Sequence, residues 1–249
     1  MDLNADLGEG FGAWRLGDDA ALLDVVTSAN VACGFHAGDP GTMRRVCAWA
    51  AERGVAVGAQ VGYRDLAGFG RRRIDYDPGE LCDDIIYQIA ALDGFCRVAG
   101  DRVRYVKPHG ALYNTATVDA RQAGAIVASI VDYDRSLPVL CLPGSTLAGV
   151  ATAAGLRAVA EGFADRAYAS DGTLVPRSEP GAVVVEVDAV VERTVRMATT
   201  GEVEASDGTV LGCAVASVCL HGDTPGAVDL ARRVRAALVE AGVPLTPFA

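Results

Sequence analysis

Tyr105-Val106-Lys107-Pro108-His109-Gly110-Ala111-Leu112-Tyr113-Asn114 contains the only lysine of a 249-residue chain that carries 22 lysines and arginines in all. Arginine has been accepted at every other basic position, so position 107 asks for something a guanidinium cannot supply. An ammonium is a compact point charge whose pKa responds to its surroundings; a guanidinium is neither compact nor tunable. The residues 105–107 read as the end of a strand, where side chains alternate with a period of two, so Lys107 and His109 project from one face. The plainer alternative is a solvated surface charge, since lysines are usually exposed. At a strand end, replacement by arginine should cost little stability while removing the tunable ammonium.

Outward from this stretch one pattern repeats: strand, loop, helix. Strands read at 3–7, 28–33, 55–61, 105–107, 138–142, 156–160 and 216–220, each an apolar run ended by glycine or polar residues. On the first, Asp2, Asn4 and Asp6 share one face and Leu3, Ala5 and Leu7 the other, as expected at the mouth of a barrel. Asp39-Pro40 and Asp77-Pro78 are helix starts, each an N-cap acceptor followed by proline at the first helical position. Met43, Val46, Cys47 and Ala50 line one helix, and Leu81, Ile85, Ile89, Leu92 and Phe95 the next. Further helices read at 18–26, 120–130, up to 154 and 188–197, with a last one presenting Ala227, Ala231, Val234, Leu238 and Ala241. The residues 161–168 leave the sixth strand and 169–177 extend the mouth. Asp207-Gly208 centres a short hairpin. Seven strands alternating with helices predict an α/β fold: a TIM-like β/α barrel of about seven parallel strands, one domain over 1–249, with ligands bound where strands end.

Composition narrows the function. A net charge of −10 and a pI of about 4.7 oppose a phosphate backbone, so nucleic acid is not an expected partner. No run approaches the ~18 consecutive apolar residues of a membrane helix, and Met1-Asp2-Leu3-Asn4 lacks the features of a secretory signal, so a cytoplasmic protein is expected. Seven cysteines without a Cys-x-x-Cys pair point to reduced, mostly buried thiols. The glycines at 8, 10 and 12 are spaced G-x-G-x-G and fail the dinucleotide fingerprint. Arg71-Arg72-Arg73, in a loop of an acidic chain, could hold an anion or an acidic partner, although such runs are more often a solvated face.

The three histidines, His36, His109 and His221, each follow a strand in a glycine-containing loop, which predicts one pocket shared with Asp6 and Lys107. His36-Ala-Gly-Asp39-Pro-Gly and His221-Gly-Asp223-Thr-Pro-Gly echo each other, each aiming a helix N-terminus at that pocket. Two chemistries fit. Asp6 with His36 and His109 could hold a divalent metal that activates water. Alternatively Asp6 or a histidine serves as general base while Lys107 stabilises an oxyanion or a phosphoryl oxygen. No His-x-x-x-His or His-Glu-x-x-His spacing favours the metal, so the metal-free reading leads.

Asp2-Leu-Asn4-Ala-Asp6-Leu-Gly-Glu9-Gly-Phe-Gly, Asn30-Val-Ala-Cys-Gly-Phe-His36-Ala-Gly-Asp39-Pro, Val106-Lys107-Pro-His109-Gly-Ala-Leu-Tyr113-Asn114 and Val218-Cys-Leu-His221-Gly-Asp223-Thr-Pro-Gly resemble, in this order, the motifs of the LamB/YcsF family. Glu161-Gly-Phe-Ala-Asp165-Arg166-Ala-Tyr168 and Asp171-Gly-Thr-Leu-Val-Pro-Arg177 are similar to a further block of it. The resemblance covers essentially the whole chain. It implies a seven-stranded β/α barrel like that of polysaccharide deacetylases, and ATP-driven opening of 5-oxo-L-proline, a γ-lactam, to L-glutamate, with related lactams as possible substrates. Magnesium would accompany the nucleotide, the B and C subunits of a 5-oxoprolinase would be the partners, and a homo-oligomer is possible. Asp6, Lys107, His109, His36 and His221 become the expected catalytic set. Asn4, Glu9, Asp39, Tyr113, Asn114, Asp165, Arg166, Asp171, Arg177 and Asp223 become expected substrate-binding residues. Around Gly181 to Asp188 the aspartate-proline helix start expected of the family is missing. The competing readings are a self-sufficient metal-dependent amide hydrolase or deacetylase and a non-catalytic, lactam-binding subunit.

Overall fold

The computed structural model describes residues 1–222 and 226–249. In chain order its strands are β1 (Asp2–Leu7), β2 (Ser28–Ala32), β3 (Ala56–Val61), β4 (Tyr105–Pro108), β5 (Val139–Cys141), β6 (Ala158–Phe163), β7 (Glu202–Glu204), β8 (Val210–Gly212) and β9 (Ser217–Leu220). Strands β1 to β6 and β9 close into a parallel barrel in that order, with β9 pairing back onto β1. β7 and β8 form a separate antiparallel hairpin around Asp207-Gly208. The helices are α1 (Asp19–Leu23), α2 (Pro40–Arg53), α3 (Pro78–Val98), α4 (Gly110–Ala116), α5 (Ala120–Tyr133), α6 (Thr146–Ala153), α7 (Val187–Thr200) and α8 (Ala227–Glu240). Among the described residues no helix is long and apolar enough to cross a membrane.

Two alternating sets of side chains build the two sides of the barrel wall. Leu3, Leu7, Val31, Val57, Val61 and Val106 belong to one buried core with Leu22, Val46, Leu81, Ile85, Ile89, Ile126 and Leu238 of the surrounding helices. Each such large side chain contributes about 1.5–3 kcal/mol by leaving water. The opposite set fills the barrel and is largely polar: Asp2, Asn4, Asp6, Ser28, Asn30, Gln60, Lys107, Glu161, Ser217 and Cys219 are all buried. Tyr105, Leu140 and Val159 form an apolar plug within the same set, against which Phe248 packs with its ring 4.8 Å from that of Tyr105.

The capping chemistry expected of the helix starts is present. Asp39 accepts from the Thr42 amide and Asp77 from those of Gly79 and Glu80, bonds of a kind that stabilise a helix by about 1 kcal/mol each. The stretch lacking aspartate-proline still gives α7, which starts with Glu186 at the N-cap and no side-chain cap.

The departures from expectation are local. α1 is only Asp19–Leu23, and a helix not expected, α4, follows His109 directly. Ala241 is exposed just past α8, and Phe95 is half-buried. Strand β6 begins later than expected because the Leu156 amide closes the turn ending α6 on Ala151. It runs on through Glu161 to Phe163, since Glu161 has partners inside the barrel.

Candidate active site

The floor of the site is an ammonium between two carboxylates. Lys107 Nζ lies 2.8 Å from Glu161 Oε1 and 3.2 Å from Asp6 Oδ1, and it also donates toward Asn4 Oδ1 (3.3 Å) and Cys219 Sγ (3.0 Å). The side chain is 2% exposed, so it belongs to the barrel interior and not to a solvated strand end. Burial alone would strip its proton, but the adjacent carboxyl groups, Asp6 foremost, reverse that and hold the ammonium well above the usual lysine range. Burial works against the Asp6 carboxylate too, yet Lys107, with the Asn30 amide, keeps it below the usual range. Glu161 moves the other way, its carboxyl pushed up by burial against the pull of Lys107. One cation serves two carboxyl groups, with Asp6 drawn below its usual range and Glu161 above it.

Below this floor a hydrogen-bonded column crosses the barrel. Asn30 Nδ2 donates to Asn4 Oδ1 and Asp6 Oδ1, Asn4 Nδ2 donates to Glu161 and Ser217, and Ser217 donates to Asp2. Asn4 is therefore a support one layer down rather than a residue open to a ligand.

Gln60 decides the roles of two histidines. Its Oε1 lies 3.2 Å from His36 Nε2, and its Nε2 lies 3.1 Å from His109 Nδ1 and 3.3 Å from Glu9 Oε1. His109 Nε2 lies 2.9 Å from the Phe69 carbonyl, so it must be the protonated nitrogen, and Nδ1 accepts from Gln60. By the same network His36 carries its proton on Nε2. Both rings are neutral: burial pushes His36 well below the usual range and His109 down to about 4. With both nitrogens of His109 engaged, and His36 wholly buried behind it, neither is placed to relay a proton.

His221 is different. Its Nδ1 lies 2.8 and 2.9 Å from the two Asp165 oxygens and so donates to them, leaving Nε2 as an acceptor on a side chain that lines the cavity. The Asp165 carboxyl is held below its usual range by this ring, against its burial.

The cavity itself measures about 500 Å³, within the ~300–1,000 Å³ of small-molecule sites. Asp6, Lys107, His109 and His221 reach it, as do Tyr113 and Asn114, and Arg71, Arg73, Arg166 and Arg177 surround it. Arg166 directs Nε and Nη2 to the Ala182 and Val175 carbonyls, which ties the loop after β6 together. Arg72 instead pairs with Asp65. Besides His36 and Asn4, four expected residues do not themselves line the cavity, and one of them, Asp165, stands behind His221. Asp39 spends its carboxylate on Thr42 and Gly12, and no residue of the α2 N-terminus lines the cavity. Asp171 is exposed and closes its own turn on Thr173. Glu9 is buried beside Gln60 and His109. Asp223 lies outside the described residues. Glu161, Gln60, Asn30 and Cys219 were not expected; the one available signal was Glu161, which opens the motif running to Tyr168.

A metal does not fit this arrangement well. Asp6, His36 and His109 are not one ligand cluster; ligand atoms converge instead as Asp6–Cys219–His221 and as Glu9–His36–His109. In the first set Lys107 already presents its charge to Asp6 and Cys219, and burial keeps the thiol protonated. In the second, His36 Nε2 and both His109 nitrogens are committed to Gln60 and Phe69, and only His36 Nδ1 is left without a partner.

Fold and floor together define a β/α-barrel protein whose own lysine supplies the cation at the strand ends. The chain belongs to the LamB/YcsF family, which matches residues 1–249. It is 64% identical over 249 residues, the full length of both chains, to the 5-oxoprolinase A subunit from Streptomyces avermitilis. The crystal structure of the lactam utilization protein from Thermus thermophilus superposes with a TM-score of 0.94 at 44% identity, covering 100% of this chain and 99% of that one. A family 4 carbohydrate esterase from Streptomyces lividans shares the barrel alone, with a TM-score of 0.51 at 13% identity over 99% of this chain and 90% of that one.

Proposed function

We propose that this chain is the A subunit of an ATP-dependent 5-oxoprolinase and carries the ring-opening half of the reaction. The observation that carries this reading is His221, oriented by Asp165 and facing the same cavity as the Lys107 ammonium. A five-membered lactam resists water because its amide is resonance-stabilised and the ring closes again readily. Once the amide oxygen is activated by phosphorylation, addition of water becomes the step to catalyse. His221 Nε2 takes a proton from that water, and Asp165 fixes the tautomer and steadies the imidazolium. Lys107 places positive charge at the cavity floor, where negative charge grows on oxygen. The arginines around the cavity suit an anionic substrate.

Magnesium and ATP act in the assembled enzyme, with B and C subunits as partners. The only lysine sits between Val106 and Pro108 in the barrel wall, so the chain has no Gly-Lys-[Ser/Thr] loop for nucleotide phosphates. The test is to incubate the purified chain with 5-oxoproline, magnesium and ATP, with and without the other two subunits, and measure glutamate and phosphate. Both products are expected only from the three subunits together. Stoichiometric glutamate and phosphate from the single chain would overturn the reading.

A further inference from the structure

We propose, resting on the ring-opening reading above, that Tyr113 donates the proton to the ring nitrogen as the carbon–nitrogen bond breaks, and that Glu161 resupplies it. Tyr113 Oη and Glu161 Oε2 are both buried and make no close hydrogen bond, and the Glu161 carboxyl is near enough to the Tyr113 hydroxyl to interact with it. A buried hydroxyl without a good hydrogen bond weakens a fold, so its retention beside a cavity and next to a carboxyl oxygen in the same position points to proton transfer. Tyr113 lies on α4, the helix that follows the Lys107 strand, with its ring edge-on to Phe163 at 5.4 Å.

The other groups at the cavity are poor donors. Lys107 has its protons directed at Asp6, Asn4, Cys219 and Glu161. His109 gives its one N–H to the Phe69 carbonyl, and His221 gives its Nδ1 proton to Asp165. Arginines do not release protons at neutral pH. Tyr113 remains, and burial followed by the nearby Glu161 keeps its hydroxyl protonated. Glu161 Oε1 already receives Lys107 and Asn4, which leaves Oε2 to carry the carboxyl proton.

The step balances. Water oxygen bonds to the carbon of the O-phosphorylated lactam and loses one proton to His221, leaving a tetrahedral carbon that carries a hydroxyl, the phosphate and the protonated ring nitrogen. As the ring opens, the electron pair of the carbon–nitrogen bond goes to nitrogen, which takes the Tyr113 proton, while the hydroxyl becomes a carbonyl by losing its proton to solvent; a second water then cleaves the resulting acyl phosphate to carboxylate and inorganic phosphate. The phenolate recovers a proton from Glu161, and solvent returns the His221 proton and restores the Glu161 one.

The experiment uses the three-subunit enzyme carrying Tyr113→Phe or Glu161→Gln, followed by glutamate formation. Tyr113→Phe should lower kcat about 10²- to 10⁴-fold, the usual reach of general acid catalysis, with KM changed by less than about threefold. Its melting temperature should change little, because the lost oxygen makes no close hydrogen bond. The kinetic isotope effect of ring ¹⁵N should grow as carbon–nitrogen cleavage becomes slow. Glu161→Gln keeps an acceptor for Lys107 and should lower kcat at least about tenfold. A Tyr113→Phe enzyme with kcat within about threefold of the parent, or a loss confined to KM, would overturn the proposal. Normal kcat in Glu161→Gln alone would remove Glu161 from the relay. Absence of glutamate from the unmodified three-subunit enzyme would defeat the ring-opening reading itself and this step with it.

Discussion

His36 and His109 lie face to face, with ring centroids 3.8 Å apart and planes within 8° of parallel. Two imidazoles so close and so buried cannot both be charged, and Gln60 sets the tautomers that keep them neutral. His109 should therefore stay neutral in the folded protein until the pH approaches 4. In the unfolded chain it protonates near 6.5. The unfolded state then binds more protons between these values, so the His109 contribution is intact above about pH 6.5 and lost as pH falls toward 4, an effect on the order of 3 kcal/mol. Ring ¹⁵N shifts check the protonation, and urea unfolding of the parent against His109→Asn isolates the stability effect. Protonation of His109 above pH 6 would contradict the network.

Lys107→Met should cost about 3–5 kcal/mol of stability, because it strands buried carboxyl groups that now share one cation. Lys107→Arg must place a larger, planar cation in the same enclosed space, so it too should melt earlier and lose turnover. Burial corrects the expectation of a cheap strand-end replacement. Thermal melts beside turnover of the assembled enzyme decide it, and full activity with an unchanged melt in Lys107→Arg would refute the role of the floor.

Asp165→Asn should keep the fold and lower kcat about 10²- to 10⁴-fold, because the imidazole loses the acceptor that fixes its tautomer. His221→Asn should lose at least as much, and the pair should not lose twice as much on a logarithmic scale, since they act as one unit. Additive losses in the double variant would separate the two residues.

Gly58→Ala should destabilise by about 1–3 kcal/mol, with a lowered denaturation midpoint as the measurement. A methyl at position 58 would overlap the Tyr105 ring, which lies across Gly58 to donate its hydroxyl to Asn30 on the next strand at 2.7 Å. An unchanged midpoint would mean that Tyr105 moves freely.

Much of this was legible before any coordinates, because barrel strands announce themselves by alternation and helix starts by Asp-Pro. The singular Lys107 pointed to the floor, and the strand-end histidines to the mouth. What stayed hidden has a common cause. Gln60, Asn30 and Glu161 sit among apolar neighbours on single strands, and only closure of the barrel brings them onto Lys107 and the histidines. A glutamate after Ala158-Val159-Ala160 reads as the end of a strand when its partner is 54 residues away. The motif echo around Asp39 misled for the opposite reason: a carboxylate that caps a helix looks, in sequence, like one that binds a ligand.

The column from Asp2 through Ser217 and Asn4 to Glu161 and Lys107 also bears on how such a protein can change. Each amide and hydroxyl in it is oriented by the next, so a substitution at one position is acceptable only with a matching one at another. Drift along the barrel axis must then proceed by rare paired replacements, whereas the arginine-bearing loops at the mouth are free to vary one residue at a time. New substrate ranges on this scaffold should accordingly arise at the rim, over an inherited and nearly immovable floor.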